Sequence, residues 1–317
     1  MSLPTVSVVI PTYNRRATLP TVLEPILASP ETLEVVVVVD GCHDGSYELL
    51  RDRSAEDARV VPVLVPNGGA AVARQVGVEQ ARGEVVLFLD DDVVATPGLP
   101  AGHARHHAGA ASLVVVGYMP TALPEVRTPG RFATYLYAEE YERHVRSWEV
   151  DPTLVLPTLW QGNVSIRRTD ALAVGMRVPE MLSGYHVDQE FGLRCLSAGL
   201  IGVFDRGLEA SHGHARPLVA FRRDARDQGA SMFAVHHLHP EVKGPFDPHH
   251  YQHGLPRPLR AVVRAGRVGA VGSVLAGAVE LAGRAHAYRA ETDAARLLRR
   301  VENQRGARLE AVRRSKD

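Results

Sequence analysis

The chain has 317 residues, 45% of them apolar and 23% charged, and its 36 Lys+Arg balance 36 Asp+Glu. Zero net charge argues against a dedicated nucleic-acid binder, which carries a basic excess, and ordinary apolar content argues against wholesale disorder. The length allows one large or two modest domains with a sizeable core. Two cysteines, Cys42 and Cys195, are too few for a disulfide framework and sit in no metal-ligand spacing, so a reduced, cytoplasmic setting is expected. Met1-Ser2-Leu3-Pro4 runs into a strand-like segment without a leader pattern. The nearest approach to a membrane span, Val268 to Ala282, is short and contains Glu280. A soluble or at most peripheral protein is expected.

In chain order, Val6 to Ile10, Leu33 to Val39, Val60 to Val65, Glu84 to Leu89 and Leu113 to Val116 are short β-branched runs bounded by Pro, Gly, Asn or Asp. They read as strands buried on both faces. Helix-length segments alternate with them: Ala17 to Leu27, Tyr47 to Ser54 and Ala70 to Ala81. This alternation predicts a doubly wound, mostly parallel α/β sheet. A helix is expected over Phe132 to Trp148, a strand within Trp160 to Arg168, a helix over Asp188 to Ser197, and two or three helices from Leu255 onward. The expected division is 1–118 and 119–240 as two halves of one domain, then a helical extension at 241–317.

Ligands of open α/β sheets bind at the carboxyl ends of the strands. Here those ends read Pro11-Thr12-Tyr13-Asn14-Arg15, Asp40-Gly41-Cys42-His43-Asp44-Gly45, Asn67-Gly68-Gly69 and Asp90-Asp91-Asp92. No G-x-G-x-x-G follows the first strand and no P-loop occurs anywhere, which counts against dinucleotide and P-loop chemistry. Three adjacent carboxylates raise one another's pKa unless a positive charge joins them. A divalent ion solves that problem, and oxygen ligands favour Mg²⁺ or Mn²⁺ bridging to substrate phosphates. A bare Asp-Asp-Asp is more often a solvated turn; its place directly after the apolar strand Leu87-Phe88-Leu89 reverses that preference.

Six blocks in order carry a resemblance. They are Val8-Val9-Ile10-Pro11-Thr12-Tyr13-Asn14-Arg15, Val38 to Ser46, Asn67-Gly68-Gly69 through Arg74, Phe88 to Asp92, Gln161-Gly162-Asn163 through Arg168, and Asp188-Gln189-Glu190 through Arg194 followed by Gly199. Over roughly residues 5 to 235 the chain resembles the inverting nucleotide-sugar glycosyltransferases of family 2, which have the GT-A fold. The resemblance implies a donor site in which Tyr13 stacks on the base, Pro11, Thr12 and Arg15 line base or phosphate, Asp40 accepts from a uracil imide and Arg74 lies near the phosphates or ribose. UDP is therefore favoured over GDP or dTDP. It also assigns Asp92 to the metal, with Asp90 and Asp91 helping through ribose or water. Asn14 and Asp44 read equally well as turn residues.

Single-displacement inversion needs a base opposite the diphosphate on a rigid element. The resemblance gives that role to Asp188, after the turn Ser183-Gly184-Tyr185, with a helix N-cap as the competing reading. The family usually has Glu-Asp here and this chain has Val187-Asp188, which makes acceptor recognition less transferable. Trp160, Gly162, Asn163 and Glu190 are acceptor-side candidates. Among the aromatics Phe132, Tyr135, Tyr137, Tyr141, Trp148 and Trp160, most are expected in a core, with Trp160 the best cleft candidate.

Of 15 histidines, most are expected at the surface, including His103, His106 and His107. His212 and His214 follow the strand-like Ile201 to Phe204, and some GT-A enzymes supply a metal-binding histidine near this place. His212 is preferred, although strand alternation would put both on one face.

The reaction so implied is transfer of a sugar, of hexosyl or related type, from a nucleotide-sugar to a hydroxyl acceptor. The alternatives are a GT-A-fold nucleotidyltransferase and a non-catalytic nucleotide-sugar binder. Finally, the neutral charge is a cancellation. Residues 255–317 hold 14 Lys+Arg against 6 Asp+Glu, an excess of +8, and the remainder holds 22 against 30, an excess of −8. Packing or self-association of this basic tail is preferred over contact with an anionic membrane surface.

Overall fold

The computed structural model describes residues 2–110, 112–177 and 184–315. It contains eight strands, β1 (Val6–Thr12), β2 (Thr32–Asp40), β3 (Val60–Val65), β4 (Val85–Leu89), β5 (Val93–Ala95), β6 (Leu113–Tyr118), β7 (Asn163–Arg167) and β8 (Ile201–His212). They form one sheet in the order β3-β2-β1-β4-β7-β6-β8-β5. The pairs β1/β2, β1/β4, β2/β3 and β6/β8 are parallel, whereas β7 runs antiparallel to β4 and β6, and β5 antiparallel to β8. The mixed, mostly parallel sheet and its helices are the expected α/β architecture.

The helices are α1 (Leu19–Leu27), α2 (Ser46–Glu56), α3 (Ala70–Gln80), α4 (Leu99–His107), α5 (Phe132–Val150), α6 (Arg168–Val174), α7 (Val187–Ser197), α8 (Leu218–Leu238), α9 (Pro240–Lys243), α10 (Arg257–Ala265), α11 (Gly269–Arg284) and α12 (Tyr288–Arg314). Every residue of β1 is buried, and β2 is buried throughout except at Leu33. An unbroken Val/Ile run suits this environment, because a strand covered on both faces has no solvent side to alternate toward.

The chain divides into two compact units. The first is Met1–Ala122, Glu142–Val178 and Val187–Gly213; the second is Leu123–Tyr141, Pro179–His186 and His214–Asp317. Within the second, Phe132 and Leu136 join Phe221, Ala276, Val279, Ala295 and Leu298 in one core, and the rings of Phe132 and Phe221 meet edge-on at 5.1 Å. Burying a phenylalanine of this kind contributes about 1.5–3 kcal/mol. Helices α8 and α12 approach closely enough that a Cβ on Gly229 would lie 1.9 Å from the Asn303 carbonyl oxygen, and one on Gly306 1.9 Å from that of Arg226. Only glycine permits this backbone-to-backbone contact.

Sheet direction positions the site. Strands β1, β2 and β4 end at one edge, and antiparallel pairing of Leu89 with Asn163 starts β7 at that same edge. The ends of β1, β2 and β4 and the beginning of β7 therefore converge there.

Candidate active site

At the end of β4 the three carboxylates diverge. Asp90 Oδ1 accepts from Arg74 Nη2 at 2.6 Å, and Arg74 is a nearly buried residue of α3. Asp91 accepts from the Tyr13 backbone N–H at 3.3 Å and lies 3.6 Å from Arg15 Nε. Asp92 faces Arg15 Nη2 at 3.4 Å through one oxygen and His212 Nε2 at 3.4 Å through the other. The pairing of β5 with β8 sets Val93 opposite His212, and the Gly213 N–H donates to the Asp92 carbonyl at 2.9 Å. Two guanidinium groups thus serve three carboxylates. Burial, reinforced by the charges of Asp92 and Asp90, pushes the Asp91 carboxyl up to about 6 despite Arg15.

Asp188 stands in the first turn of α7, which begins one residue earlier than expected. Its carboxylate accepts from the Gln189 N–H at 3.0 Å and the Gln161 N–H at 3.3 Å. Burial raises its pKa, opposed by the positive charge of Arg74 and by these N–H donors. Arg74 consequently acts on both Asp90 and Asp188, and its Nε is buried without a hydrogen-bond partner among the described residues. Ser183, expected in a turn before α7, lies outside the described residues.

The segment entering β7 closes this edge. Gly162 has φ +117°, and a Cβ there would lie 2.8 Å from Met119 Sδ and 3.0 Å from Asp90 Oδ2. Glycine is required by backbone conformation and by space. The Gly162 carbonyl in turn accepts from the Asp90 N–H at 3.4 Å.

On the side of β1 to β3, Tyr13 is 51% exposed, so its ring face is open, while Pro11 and Thr12 are buried in the strand end. Asp40 receives the Gly68 N–H at 2.7 Å on one oxygen and the Gly69 N–H at 2.9 Å on the other. Its carboxylate anchors the loop before α3. Asn14 and Asp44 are turn residues: Asn14 takes φ +54° and its amide oxygen accepts from the His43 N–H, and Asp44 accepts from Ser46 and from the Arg16 N–H.

Several sequence readings need correction. His103 and His107 are buried, not superficial. On α4 they lie four residues apart, hence on one face, and that face turns inward. Asn163 Nδ2 donates to the Leu208 carbonyl at 2.9 Å and the Tyr118 carbonyl at 3.3 Å, which fixes the amide orientation. Its Oδ1 must then accept from His103 Nε2 at 2.9 Å. His103 Nδ1 accepts from the Ser165 hydroxyl at 2.8 Å, and Ser165 Oγ accepts from His107 Nε2 at 2.9 Å. Both imidazoles are thereby assigned the neutral Nε2–H tautomer, and burial pushes their pKa values down to about 3 for His103 and about 4 for His107. Asn163 is held in this interior network. Glu190 is buried and paired with Arg194 at 2.9 Å. His214 lies past the end of β8, so the alternation argument stops at His212; its ring stacks on Tyr137 at 4.1 Å.

Phe132, Tyr141 and Trp148 are buried, as expected of core aromatics. Trp160 is half-buried and stacks on His144 at 5.1 Å.

No complete cage of three or more His, Cys, Asp or Glu side chains forms among the described residues. The donor set nevertheless fits a hard divalent ion. Asp92 and His212 face one another and Asp91 is adjacent, an oxygen-rich set with one imidazole.

Residues 7–153 match the family described as glycosyl transferase family 2. An undecaprenyl-phosphate 4-deoxy-4-formamido-L-arabinose transferase of Aeromonas hydrophila subsp. hydrophila is 44% identical over 98 residues, 29% of this chain and 30% of that enzyme. An uncharacterized glycosyltransferase of Haemophilus influenzae is 34% identical over 102 residues, 31% of this chain and 41% of that protein. The chain thus matches about a third of the length of these relatives. In three dimensions it is similar to a mannosyltransferase from Pyrobaculum calidifontis solved with GDP-Man and Mn²⁺, with TM-score 0.58, 16% identity and coverage of 96% of this chain and 88% of that one. It is also similar to S. aureus TarS 1–349 in complex with UDP-GlcNAc, with TM-score 0.51, 15% identity and coverage of 99% and 92%. These likenesses establish the GT-A fold. Residues 7–153, which supply β1 to β6 and the acidic edge, are the part of this chain that carries the likeness to glycosyl transferase family 2.

Proposed function

We propose that the chain is an inverting glycosyltransferase moving a sugar from a nucleotide-sugar, UDP being the favoured carrier, to a hydroxyl acceptor. The observation that carries this reading is Arg74, which pairs with Asp90 on the acidic edge and acts electrostatically on Asp188. One buried guanidinium therefore lies between a carboxylate of the diphosphate side and the candidate base, where the sugar would sit. Tyr13 offers an exposed ring for base stacking, and Arg15 supplies charge for the phosphates. Asp92 and His212, with Asp91 beside them, would hold Mn²⁺ or Mg²⁺. Such an ion, when bound, stabilises negative charge on the leaving diphosphate. The structural neighbours solved with GDP-Man and Mn²⁺ and with UDP-GlcNAc support a donor of this class.

In the displacement the acceptor oxygen bonds to the anomeric carbon while the bond from that carbon to the diphosphate oxygen breaks. Asp188 takes the acceptor proton. The Gln161 and Gln189 N–H groups hold its carboxylate in place, a rigid mounting that general-base catalysis requires. The Aeromonas relative is named for an undecaprenyl-phosphate acceptor, and this suggests a second acceptor class, a lipid phosphate. A phosphate dianion brings no proton to remove, so the base should matter far less with it.

A donor panel with Mn²⁺, analysed for released nucleotide, tests the proposal. Release of nucleoside diphosphate supports sugar transfer, whereas pyrophosphate release would assign a nucleotidyltransferase. Absence of binding and hydrolysis with every donor would make the fold a non-catalytic scaffold. Asp188→Asn then separates acceptors, with loss on hydroxyl acceptors and near-retention on a polyprenyl phosphate.

A further inference from the structure

The basic tail is not uniform. On α12, Arg296 and Arg299 pair with Glu139 and Glu140 of α5, and Arg313 and Arg314 with Glu310. Packing within the second unit neutralises these charges. The preceding helices differ. Residues 257–290 contain six arginines against one glutamate, and Arg257, Arg260, Arg264 and Arg267 are exposed with no carboxylate partner among the described residues. The first three recur at i, i+3 and i+7 on one face of α10, roughly 60–120° round the helix from buried Val263, forming one exposed guanidinium stripe.

Helix α11 is apolar on two sides. Ala276 and Val279 enter the core of the unit, while Val274 and Leu281 point to solvent, 72% and 70% exposed. Ala270 and Ala278 extend that outward face. A helix that is apolar all round is ordinarily covered. No helix among the described residues is long and apolar enough to cross a membrane, and α10 and α11 bend by 118° at their junction. Unneutralised arginines beside an outward apolar stripe are the composition of a segment that lies in a membrane interface.

We propose that α10 and α11 form a peripheral docking surface for an anionic lipid bilayer, with the α10 arginines at the headgroups and Val274 and Leu281 in the acyl boundary. Charge complementarity selects this occupant over a second copy of the chain, since an identical stripe of arginines would face its own like charge. The surface stands independently of the proposed transfer reaction.

The test is flotation of the full chain with vesicles of phosphatidylcholine containing about 30% phosphatidylglycerol, with phosphatidylcholine alone as control, at about 0.1 M salt. No donor or acceptor is present, so failure here and failure of the transferase reading are distinct. Binding to the anionic vesicles alone is expected. The triple variant R257E/R260E/R264E should lower partitioning on the order of 100-fold, and V274S/L281S should lower it on the order of 10-fold, both at unchanged melting temperature because all five side chains are exposed. Equal binding to neutral vesicles, no binding, or undiminished binding by the triple variant would overturn the proposal. A concentration-dependent dimer dissolved by V274S/L281S would overturn it too, by assigning the face to a second copy.

Discussion

Strand β7 separates two polar regions of opposite design. Along it, His103, Ser165, His107 and Asn163 form a chain of neutral groups in which one tautomer satisfies each contact. At its entrance, Asp90, Asp91, Asp92 and Asp188 gather with Arg15 and Arg74, and the buried Asp91 carboxyl is raised beside its acidic neighbours. The first region joins its side chains to one another, with only His107 Nδ1 of its ring nitrogens buried without a hydrogen-bond partner among the described residues. The second holds a carboxyl raised by burial, and perturbed pKa values of this kind cluster at functional sites. Burial shifts both regions toward neutrality, lowering His103 and His107 and raising Asp91 and Asp188. Their effects on stability therefore respond to pH with opposite sign.

The largest expected effect lies at the entrance. Asp188→Asn should reduce transfer to a hydroxyl acceptor by about 10²–10⁴ with a near-native melting temperature; full activity would remove Asp188 as the base. Asp92→Ala should lower activity by roughly 10²–10³ and abolish any melting-temperature rise on adding Mn²⁺. An intact rise would shift the metal assignment elsewhere.

The network should respond in stability. His103→Leu removes the partner of Asn163 Oδ1 and of Ser165 Oγ, at a cost of about 3 kcal/mol in denaturant unfolding. A loss below about 0.5 kcal/mol would show that the chain of hydrogen bonds is dispensable. Nitrogen chemical shifts provide the finer check, with His103 expected in the Nε2–H form and still neutral at about pH 5.

The smallest effect sharpens the contrast in sign. Asp91 has a folded pKa of about 6, above its unfolded value. The protonated carboxyl thus favours the fold below about pH 4, and this contribution fades as pH rises through about 6. Asp91→Asn should stabilise the metal-free protein at pH near 7.5 by about 1–2 kcal/mol and change little at pH near 4. The depressed pKa values of His103 and His107 act the other way: their contribution is full above the ordinary histidine value and is lost as pH falls through it toward about 4 and 3. An Asp91 variant no more stable at neutral pH would contradict burial as the cause of the raised carboxyl.

Much of this was legible because the strands are buried on both faces. β3 and the end of β4 appear in the sequence within a residue, since Val/Leu runs stopped by Pro-Asn or Asp-Asp admit few other readings. The acidic triplet follows, because strand direction alone sends Asp90 to Asp92 to one edge. The histidine network was not legible. His103 and Ser165 are 62 residues apart in sequence, and their contact depends on β7 inserting antiparallel between β4 and β6, which no local pattern announces. The available signal was the spacing of His103 and His107 on the face shared with Leu99. Asp40 shows a related limit: its place at a strand end was legible, but the two N–H donors that the next loop brings to its carboxylate were not.

The interleaving of the two units also bears on how the protein is made. The apolar face of α5 carrying Phe132 is complete only when Phe221, Ala276, Val279 and Leu298 are present. At a synthesis rate of ~5–20 residues per second, Phe132 emerges from a ribosome on the order of 10–30 s before its last partner. During that interval the nascent chain displays an apolar helix that its own later sequence must cover, so the order of translation makes this segment a natural client for a chaperone and the first place where a truncated chain would aggregate.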